Sequence, residues 1–484
     1  MGKRLKDILK GMDHDILQGN KNIMVTGLCS DSRKVKPGDI FVAVNGIQTD
    51  GHKYIPLALK NGASVIIAEK AGIDVGNATY VRMNNTGSKL GIIASGFYGN
   101  PSSKLKIVGV TGTNGKTTIV TLLYSLFKHL GYKAGLLSTI KDVVDEEIIP
   151  TEHTTPDPIT IHYLMSKMVE KGCEYCFMEA SSHAIDQDRI SGIKFDGGIF
   201  TNITHDHLDY HKTFKAYLNA KKKFFDILPS TSFALTNADE KHGMIMLQNT
   251  ASKKKTYALK TLADFKGKIL EKHMDGMNIL IDNKEVYTHL SGTFNAYNIM
   301  AVYGAAILLG KTDDEILPAL SNLLPVTGRF EIIRSPDGRY AIVDYAHTPD
   351  ALKNILSGIQ DIRSKNMKII TVVGAGGDRD RTKRPEMAHE AVISSDKLIL
   401  TSDNPRSEVP EEIIKEMKTG IKPEEENKVL CVTDRKEAIR MACMLAVSGD
   451  VVLVAGKGHE DYQEIKGVKH HFNDREIISE IFKL

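Results

Sequence analysis

The sequence lacks the features that would direct it to a membrane, a secretory route or a nucleic acid. Its longest apolar run covers residues 299–310, which is too short for a bilayer that requires about 20 apolar residues. We therefore interpret this run as a buried helix. The first 18 residues alternate charged and apolar side chains, so we expect no signal peptide. The net charge of +3 gives no reason to expect nucleic acid or an anionic membrane as a partner.

Cysteine is scarce, with five residues in the chain. Cys173 and Cys176 form a CxxC pair, but no second ligand pair at similar spacing accompanies it, which argues against a zinc site. The pair lies in the apolar run "KGCEYCFMEASSH". We therefore expect buried thiols in a reduced, cytoplasmic protein and leave a redox or metal role as the alternative.

What the sequence does contain is a repeated pattern of apolar strands. The chain has 484 residues, 42% of them apolar and 25% charged, which is typical of a soluble protein of about three domains. Eight β-branched runs end in polar or glycine-rich clusters: "KIVGVTG", "YCFMEASSH", "GGIFTNITHDHLD", "SFALTNADE", "YAIVDYAHTPD", "KIITVVGAGGDRD", "KLILTSDNPRSE" and "VVLVAGKGHED". Helical patterns such as "TTIVTLLYSLFKHLG" lie between them. This alternation predicts an α/β fold with parallel sheets, and polar clusters at strand ends indicate an enzyme.

Two turn-rich stretches predict the domain boundaries. "YGNPSSKLKI" lies around residues 98–107, and "NLLPVTGRFEIIRSPDGRY" covers residues 322–340. We therefore predict an N-terminal domain over residues 1–103, a central domain over 104–330 and a C-terminal domain over 331–484.

The stretch "KIVGVTGTNGKTTIV", residues 106–120, predicts a phosphate-binding loop between a strand and a helix. Loop amides and the helix N-terminus can bind an anion, Lys116 can contact the β- and γ-phosphates, and the Thr117 hydroxyl can hold Mg²⁺. Val110 stands where the common loop has its first glycine, so this loop is shorter. The alternative is a glycine-rich turn that binds nothing. The predicted nucleotide contacts are Gly112, Thr113, Asn114, Gly115, Lys116, Thr117 and Thr118.

The short loop "GTNGKTT" resembles that of the Mur ligases and their folyl-polyglutamate relatives, which join an amine to a carboxylate with ATP. Five further matches follow in family order: "MEASSHAIDQDRI", "FTNITHDHLDYH", "TFNAYNIMAV", "TGRFE" and "VDYAHTPDAL". Within the family, "DNPR" at residues 403–406, "GAGGDRDRTKRPEM" and "AGKGHEDYQ" are similar to members that add meso-diaminopimelate. The resemblance implies an N-terminal UDP-substrate domain, a central P-loop ATPase-like parallel sheet and a C-terminal Rossmann-like domain that binds the amino acid.

The resemblance also implies an activity. It is ATP-dependent ligation of meso-diaminopimelate to UDP-N-acetylmuramoyl-L-alanyl-D-glutamate through an acyl phosphate, in cytoplasmic peptidoglycan precursor synthesis. ATP is then a co-substrate and Mg²⁺ the cofactor, because a carboxylate and a triphosphate must meet beside cations. The expected partners are these small molecules, without nucleic acid or membrane insertion, and the expected state is a monomer.

Several candidate residues surround the loop. Glu179 follows an apolar strand and could bind Mg²⁺ with Thr117, and His207 is a second candidate ligand, although such clusters are often hydrogen-bonded turns. The resemblance implies that Lys221 is carbamylated and holds a second Mg²⁺, whereas we expect Lys222 and Lys223 on a solvated helix face. It places three further residues around ATP: Asn298, Arg329 and Asp344.

The remaining candidates concern the two other substrates. The resemblance assigns the UDP-sugar to Ser32, Thr154, Thr155, Ser181, Gln187 and Arg189; His153 stands where relatives often have Asn. It assigns diaminopimelate to Arg379, Asp403, Asn404, Pro405, Arg406, Gly456 and Glu460. Arg406 can clamp the far carboxylate, and Asp403 with Glu460 can accept from the far ammonium or orient the arginine. Asn404 adds a neutral donor and acceptor.

Three alternatives remain open. A lysine-adding ligase of the same fold would leave Arg406 without a carboxylate partner. A folyl-polyglutamate ligase would leave the UDP-sugar motifs unused. A nucleotide-gated binding protein would not need Glu179, His207, Lys221 and Arg329, all of which are present.

Overall fold

The computed structural model describes residues 2–46, 49–151, 154–364 and 366–484; His153 lies outside them. Three large sheets follow one another along the chain, with five, eleven and six strands. Most of their neighbouring strands run parallel, so the predicted α/β class is confirmed.

The N-terminal sheet has the order β2-β7-β6-β5-β4, in which only the β2–β7 pair is antiparallel. A small antiparallel pair, β1–β3, lies beside it. The strands of this region are β1 (Lys3–Arg4), β2 (Asp15–Gln18), β3 (Met24–Val25), β4 (Gly27–Cys29), β5 (Asp39–Val42), β6 (Val65–Ala68) and β7 (Thr79–Arg82). Its helices are α1 (Leu5–Ile8), α2 (Ile55–Lys60) and α3 (Thr86–Tyr98), with 3-10 turns at Ser32–Lys34, Gly51–Tyr54 and Pro101–Lys104.

The central sheet has the order β11-β10-β9-β12-β8-β13-β14-β15-β16-β17-β18, parallel from β9 to β16 and antiparallel at both ends. Its strands are β8 (Lys106–Thr111), β9 (Ala134–Leu137), β10 (Asp142–Val144), β11 (Glu147–Ile149), β12 (Tyr175–Glu179), β13 (Gly197–Phe200), β14 (Phe233–Asn237), β15 (Lys253–Ala258), β16 (Phe265–His273), β17 (Gly276–Ile281) and β18 (Lys284–Thr288). Its helices are α4 (Lys116–His129), α5 (Pro158–Glu170), α6 (Ser182–Asp186), α7 (Leu208–His211), α8 (Phe214–Asp226), α9 (Gly243–Met246), α10 (Thr293–Leu308) and α11 (Asp313–Ser321).

The C-terminal sheet has the order β19-β20-β24-β21-β22-β23, in which only β19–β20 is antiparallel. Its strands are β19 (Glu331–Arg334), β20 (Tyr340–Asp344), β21 (Ile369–Val373), β22 (Lys397–Leu400), β23 (Val429–Cys431) and β24 (Val451–Ala455), followed by the hairpin of β25 (Tyr462–Ile465) and β26 (Val468–His471). Its helices are α12 (Pro349–Ile362), α13 (Lys383–Ser394), α14 (Pro410–Lys418), α15 (Arg435–Leu445) and α16 (Asp474–Phe482), with a 3-10 turn at Pro423–Lys428.

Each of the eight apolar runs contains a strand, and the longest apolar run lies within the buried helix α10 and its C-terminal turn. Cys173 and Cys176 are buried thiols, and burial raises the pKa of Cys176 well above its ordinary value. Within the described ranges, no helix is both long and apolar enough to cross a membrane.

Parallel pairing sets where the strand ends meet. In the register, Glu179 of β12 lies beside Val110 of β8, and Phe200 of β13 lies beside Thr111. The polar residues that follow β8, β12 and β13 therefore gather at one edge of the central sheet.

A buried ion pair joins α15 to α16 behind the C-terminal sheet. Arg435 donates from Nε and Nη2 to the two carboxylate oxygens of Asp474, at 2.9 and 2.7 Å, and both side chains are 0% exposed. Nη2 also donates to the carbonyl of Ala455 at the end of β24.

We expect Asp474→Ala to destabilise the C-terminal domain by about 3–5 kcal/mol, because a buried guanidinium loses the carboxylate that holds it by two hydrogen bonds. Urea unfolding and hydrogen exchange of α15 and α16 amides measure this. Glu480→Ala is the matched control, since it removes the exposed Lys436–Glu480 pair between the same helices and should leave both readouts almost unchanged. Equal effects of the two variants would contradict the assignment.

Candidate functional site

The phosphate loop is hydrogen-bonded to the residues that follow the neighbouring strand β13. Thr113 N donates to the Asn202 carbonyl, and Asn114 N donates to Asn202 Oδ1, both at 2.9 Å. Gly112 makes this approach possible, because a Cβ there would lie 1.8 Å from Thr201 Oγ1. Gly115 starts α4 with φ of +89°, and a Cβ on it would lie 2.7 Å from Asn298 Oδ1. The loop thus requires glycine at both positions.

Lys116 folds back over this loop. Its Nζ donates to the carbonyls of Gly112 and Thr113, at 2.9 and 2.8 Å. Burial lowers the pKa of Lys116, nearby Arg329 adds to the effect, and Glu179 and Asp206 oppose it. Lys116 therefore lies close to a guanidinium and two carboxylates.

Arg329 reaches this centre from the end of the central region. Its Nη2 donates to Thr117 Oγ1 at 3.3 Å, and its guanidinium lies 4.4 Å from the ring centroid of Tyr345. Arg329 Nε is buried and has no hydrogen-bond partner within the described part of the chain. The predicted contact Thr118 is buried in α4 beside Thr117.

The other two predicted nucleotide contacts are engaged within the protein. Asn298 on α10 donates from Nδ2 to Asn295 Oδ1 at 3.0 Å. Asp344 accepts from the backbone amides of Phe330 and Ala346, at 2.7 and 2.8 Å, and burial raises its pKa. Asp344 thereby fixes the turn that follows Arg329.

Glu179, at the end of β12, is fully buried. Its Oε1 accepts from Thr139 N at 2.7 Å, whereas Oε2 is buried without a partner among the described residues. An unpaired carboxylate oxygen is costly unless a cation or a donor reaches it. Asp142 lies on the same side, and burial, with Glu179 adding to it, raises the pKa of Asp142 to about 7. Sequence reasoning missed Thr139 and Asp142, although both follow the apolar strand β9.

His207 begins α7 with φ of +54°, in the left-handed region. Its ring centroid lies 4.8 Å from that of His183, and its Nε2 lies 3.5 Å from Asp206 Oδ2. Burial lowers the pKa of His207 to about 4, with help from Lys116, while Asp206 opposes the shift. The imidazole is consequently neutral near pH 7, which is the form that can ligate a metal.

Lys221 on α8 is fully buried, and its Nζ donates to the Gly112 carbonyl at 2.8 Å. That carbonyl also accepts from Lys116, so two amines share one acceptor. Burial and the charge of Lys116 lower the pKa of Lys221 well below its ordinary value. Lys222 is paired with Asp226 and Lys223 with Asp188, and neither contact lies at the loop.

Five of the six predicted UDP-sugar residues belong to the central region, and four of them are hydrogen-bonded to one another. Arg189 donates to Gln187 Oε1 and to the Thr155 carbonyl, Thr155 donates to the Glu179 carbonyl and to Ser181 Oγ, and Thr154 Oγ1 accepts from Thr139. Ser32 lies apart in the N-terminal region, where its carbonyl accepts from Asn61 Nδ2.

The "DNPR" residues follow β22 at the matching edge of the C-terminal sheet. Asp403 Oδ2 is buried without a partner in the described ranges, and it lies 3.9 Å from Arg435 Nη1, which is also unpaired there. Gly456, with φ of +114°, lies against this oxygen. A Cβ on Gly456 would be only 2.7 Å from Asp403 Oδ2. Asp403 therefore offers one free acceptor.

The Asn404 amide makes hydrogen bonds through both its nitrogen and its oxygen. Its Nδ2 donates to Glu460 Oε2 at 2.8 Å, and its Oδ1 accepts from Lys457 Nζ and Glu464 N, at 3.0 and 2.9 Å. Lys457 Nζ also donates to Glu460 Oε2. Asn404 thus orients Glu460 in addition to any ligand contact, and sequence reasoning missed the buried Lys457.

Arg406 completes this pocket with φ of +51° and donates from Nη1 to the Gly377 carbonyl at 2.7 Å. Pro405 precedes it and is buried, whereas Arg379 is exposed on the facing loop.

Two hydrogen bonds join the central and C-terminal regions across the cleft. Lys383 donates to Asp206 Oδ1 at 3.1 Å, and Asn114 donates to Asp350 at 3.4 Å. The phosphate loop and the C-terminal pocket therefore face the same cleft.

Comparison with known proteins agrees with this arrangement. Three family models match: "Mur ligase family, catalytic domain" over residues 24–98, "Mur ligase middle domain" over 110–306 and "Mur ligase, glutamate ligase domain" over 328–458. The UDP-N-acetylmuramoyl-L-alanyl-D-glutamate--2,6-diaminopimelate ligase of Parabacteroides distasonis is 58% identical over 479 residues, 99% of each chain. Its namesake from Bacteroides fragilis is 56% identical over 482 residues, again 99% of each. A solved ligase structure of the same name is 32% identical, with a TM-score of 0.71 over 100% of this chain and 99% of that one. The chain belongs to the Mur ligase family.

Proposed function

We propose that the chain is an ATP-dependent amide ligase that joins meso-diaminopimelate to UDP-N-acetylmuramoyl-L-alanyl-D-glutamate, the reaction named for its full-length relatives. The observation that carries this proposal is the common cleft of the phosphate loop and the "DNPR" pocket, joined by the Lys383–Asp206 contact. A ligase must bring its activated carboxylate and its amine together in one such cleft.

The reaction has two steps. An oxygen of the substrate carboxylate attacks the γ-phosphorus of ATP, and ADP leaves. The amine nitrogen of diaminopimelate then attacks the acyl carbon, phosphate leaves, the nitrogen loses a proton and an amide remains. Lys116 can turn from the carbonyls of Gly112 and Thr113 to the phosphate oxygens and stabilise their charge. Arg329, with its buried free Nε, is suited to a second phosphate contact.

A magnesium ion fits the residues beside the loop. The unpaired Glu179 Oε2 and the Thr117 hydroxyl are hard oxygen donors of the kind that Mg²⁺ takes, and the neutral His207 is a third candidate. In that position Mg²⁺ would neutralise phosphate charge. Glu179 remains oriented by Thr139 N whether or not the ion is bound.

We also propose that Lys221 is carbamylated. Its lowered pKa increases the fraction of the neutral amine, which is the form that captures CO₂. Conversion of this amine to an anion replaces the repulsion between Lys116 and Lys221 with an attraction, beside the carbonyl that both now share. The carbamate would then supply oxygen ligands to a second Mg²⁺.

The two remaining substrates are assigned by chemistry. The free edge of the Arg406 guanidinium suits the far carboxylate of diaminopimelate, and Asp403 Oδ2 with Glu460 suits its ammonium. The hydroxyls of Thr154, Thr155 and Ser181, with Gln187 and Arg189, suit the anionic muramoyl dipeptide, and Ser32 suits the nucleotide-sugar. A lysine-adding ligase remains the second candidate, because the acceptors for an ammonium serve lysine as well.

We further propose that the protein works as a cytoplasmic monomer, since its co-substrate is ATP and the phosphate loop and the "DNPR" pocket face one cleft within one chain. A sedimentation mass close to 53.4 kDa checks the monomeric state.

The purified protein with ATP, Mg²⁺ and UDP-N-acetylmuramoyl-L-alanyl-D-glutamate should release ADP and phosphate with meso-diaminopimelate and far less with L-lysine. Mass spectrometry of the product identifies the new amide. Lys116→Ala should lower kcat by about a hundredfold or more, because a cation at the phosphates is lost.

Lys128→Ala is the matched control for this loss. Lys128 lies at the far end of the same helix and pairs with Asp145, so its removal should leave turnover nearly unchanged. Retention of most activity in Lys116→Ala would contradict the assignment of the phosphate loop, and preference for L-lysine would contradict the assignment of the amino acid.

Carbamylation is expected to give a carbamate carbon signal in ¹³C NMR when the protein is equilibrated with ¹³C-bicarbonate. Lys221→Arg should abolish the signal, since a guanidinium does not capture CO₂ under these conditions. Lys223→Arg, which changes an exposed lysine of the same helix, should keep it. An unchanged signal in Lys221→Arg, or its absence from the unmodified sequence, would rule out the modification.

A further inference from the structure

The Arg406 guanidinium already has a carboxylate beside it. Glu464 Oε2 lies 3.4 Å from Arg406 Nε, and the two side chains are 26% and 23% exposed. Nη1 of Arg406 is held by the Gly377 carbonyl. Glu464 therefore stands at the edge of the guanidinium, formed by Nε and Nη2, that can hold a carboxylate with two parallel hydrogen bonds.

The backbones of these two residues are fixed relative to each other. Arg406 N donates to the Glu464 carbonyl at 3.0 Å, and Lys466 N donates to the Arg406 carbonyl at 2.7 Å. Glu464 N donates to Asn404 Oδ1 at 2.9 Å. Strand β25 is thus hydrogen-bonded to the "DNPR" loop, while the partly exposed Glu464 carboxylate can turn away without moving the main chain.

The contact is weak compared with another arginine pair in the chain. Arg435 holds Asp474 with two bonds of 2.9 and 2.7 Å from its Nε–Nη2 edge. Arg406 and Glu464 share that edge through one contact of 3.4 Å. A ligand carboxylate that makes two bonds can therefore displace Glu464 at small cost.

We propose that Glu464 is a specificity-determining counter-ion, which neutralises Arg406 until the far carboxylate of the incoming diamino acid displaces it. This inference rests on the proposed function. Glu464 competes with the ligand carboxylate and so weakens diaminopimelate binding. It also lets Arg406 stay paired when a ligand without that carboxylate, such as lysine, enters, and its negative charge attracts the ammonium of lysine.

Removal of the Glu464 charge should change the binding of diaminopimelate and of lysine in opposite directions. Glu464→Gln should lower the KM for diaminopimelate by about two- to fivefold, which is the range of a partly exposed ion pair. It should raise the inhibition constant of L-lysine by a similar factor, because the ammonium loses a nearby anion. The ratio of the two constants, which measures selectivity, should therefore increase about four- to twenty-fivefold, with the KM for ATP unchanged.

Steady-state ADP release, with diaminopimelate varied against L-lysine as the inhibitor, measures these constants. Glu464→Asp retains the charge and should keep the selectivity of the unmodified sequence within about twofold. Glu476→Gln removes another exposed carboxylate of the same domain, which pairs with His471, and should change nothing. Arg406→Ala should raise the KM for diaminopimelate by about ten- to a hundredfold.

Unchanged or weaker diaminopimelate binding in Glu464→Gln, with the unmodified protein active, would overturn this inference alone. Equal changes in Glu476→Gln would also overturn it, since the effect would then be a general effect of charge. Absence of turnover with diaminopimelate in the unmodified protein would instead overturn the proposed function.

Discussion

The hydrogen bonds between the phosphate loop and the end of β13 are the constraint on which the site depends. Thr113 and Asn114 donate to Asn202, Thr201 Oγ1 donates to the Asn114 carbonyl at 2.7 Å, and Gly112 leaves room for the approach. Because the loop cannot shift along the sheet, the positions of its lysine and of the helix that follows are set by the strand register. Glu179, at the end of β12, and Arg329, near the domain boundary, therefore lie beside a loop whose position is fixed.

The charged groups around the phosphate loop favour a particular class of ligand. Lys116 and Arg329 are cations that face the carboxylates of Glu179 and Asp206, and Lys221 is a buried amine whose pKa is well below its ordinary value. Although burial opposes it, His207, Lys383 and His347 lower the pKa of Asp206 to about 2. The basic groups that converge on the loop favour anionic ligands.

Much of the fold follows from local pattern. Fully buried parallel strands produce continuous apolar runs, and these runs identified β8, β12, β21 and β24. Strand β2 of the N-terminal sheet and the antiparallel β16–β18 extension gave weaker signals, because they are only partly buried. At the site, the motif residues could be named from the sequence, but the residues that hydrogen-bond to them could not. Lys457 meets Asn404 from 53 positions away, and only the folded chain brings such groups together.

The Thr117 hydroxyl oxygen has two alternative partners. It now accepts from Arg329 at the C-terminal end of the central region, and a metal ion at the phosphates would use the same oxygen. If a metal ion takes this oxygen, as proposed above, Arg329 loses its bond to Thr117 and can turn to a phosphate. By linkage, any ligand that favours the rearranged cleft would tighten nucleotide binding by the same factor by which the nucleotide tightens that ligand. The affinities of the nucleotide and of a second substrate would in this way be coupled through a single hydroxyl group.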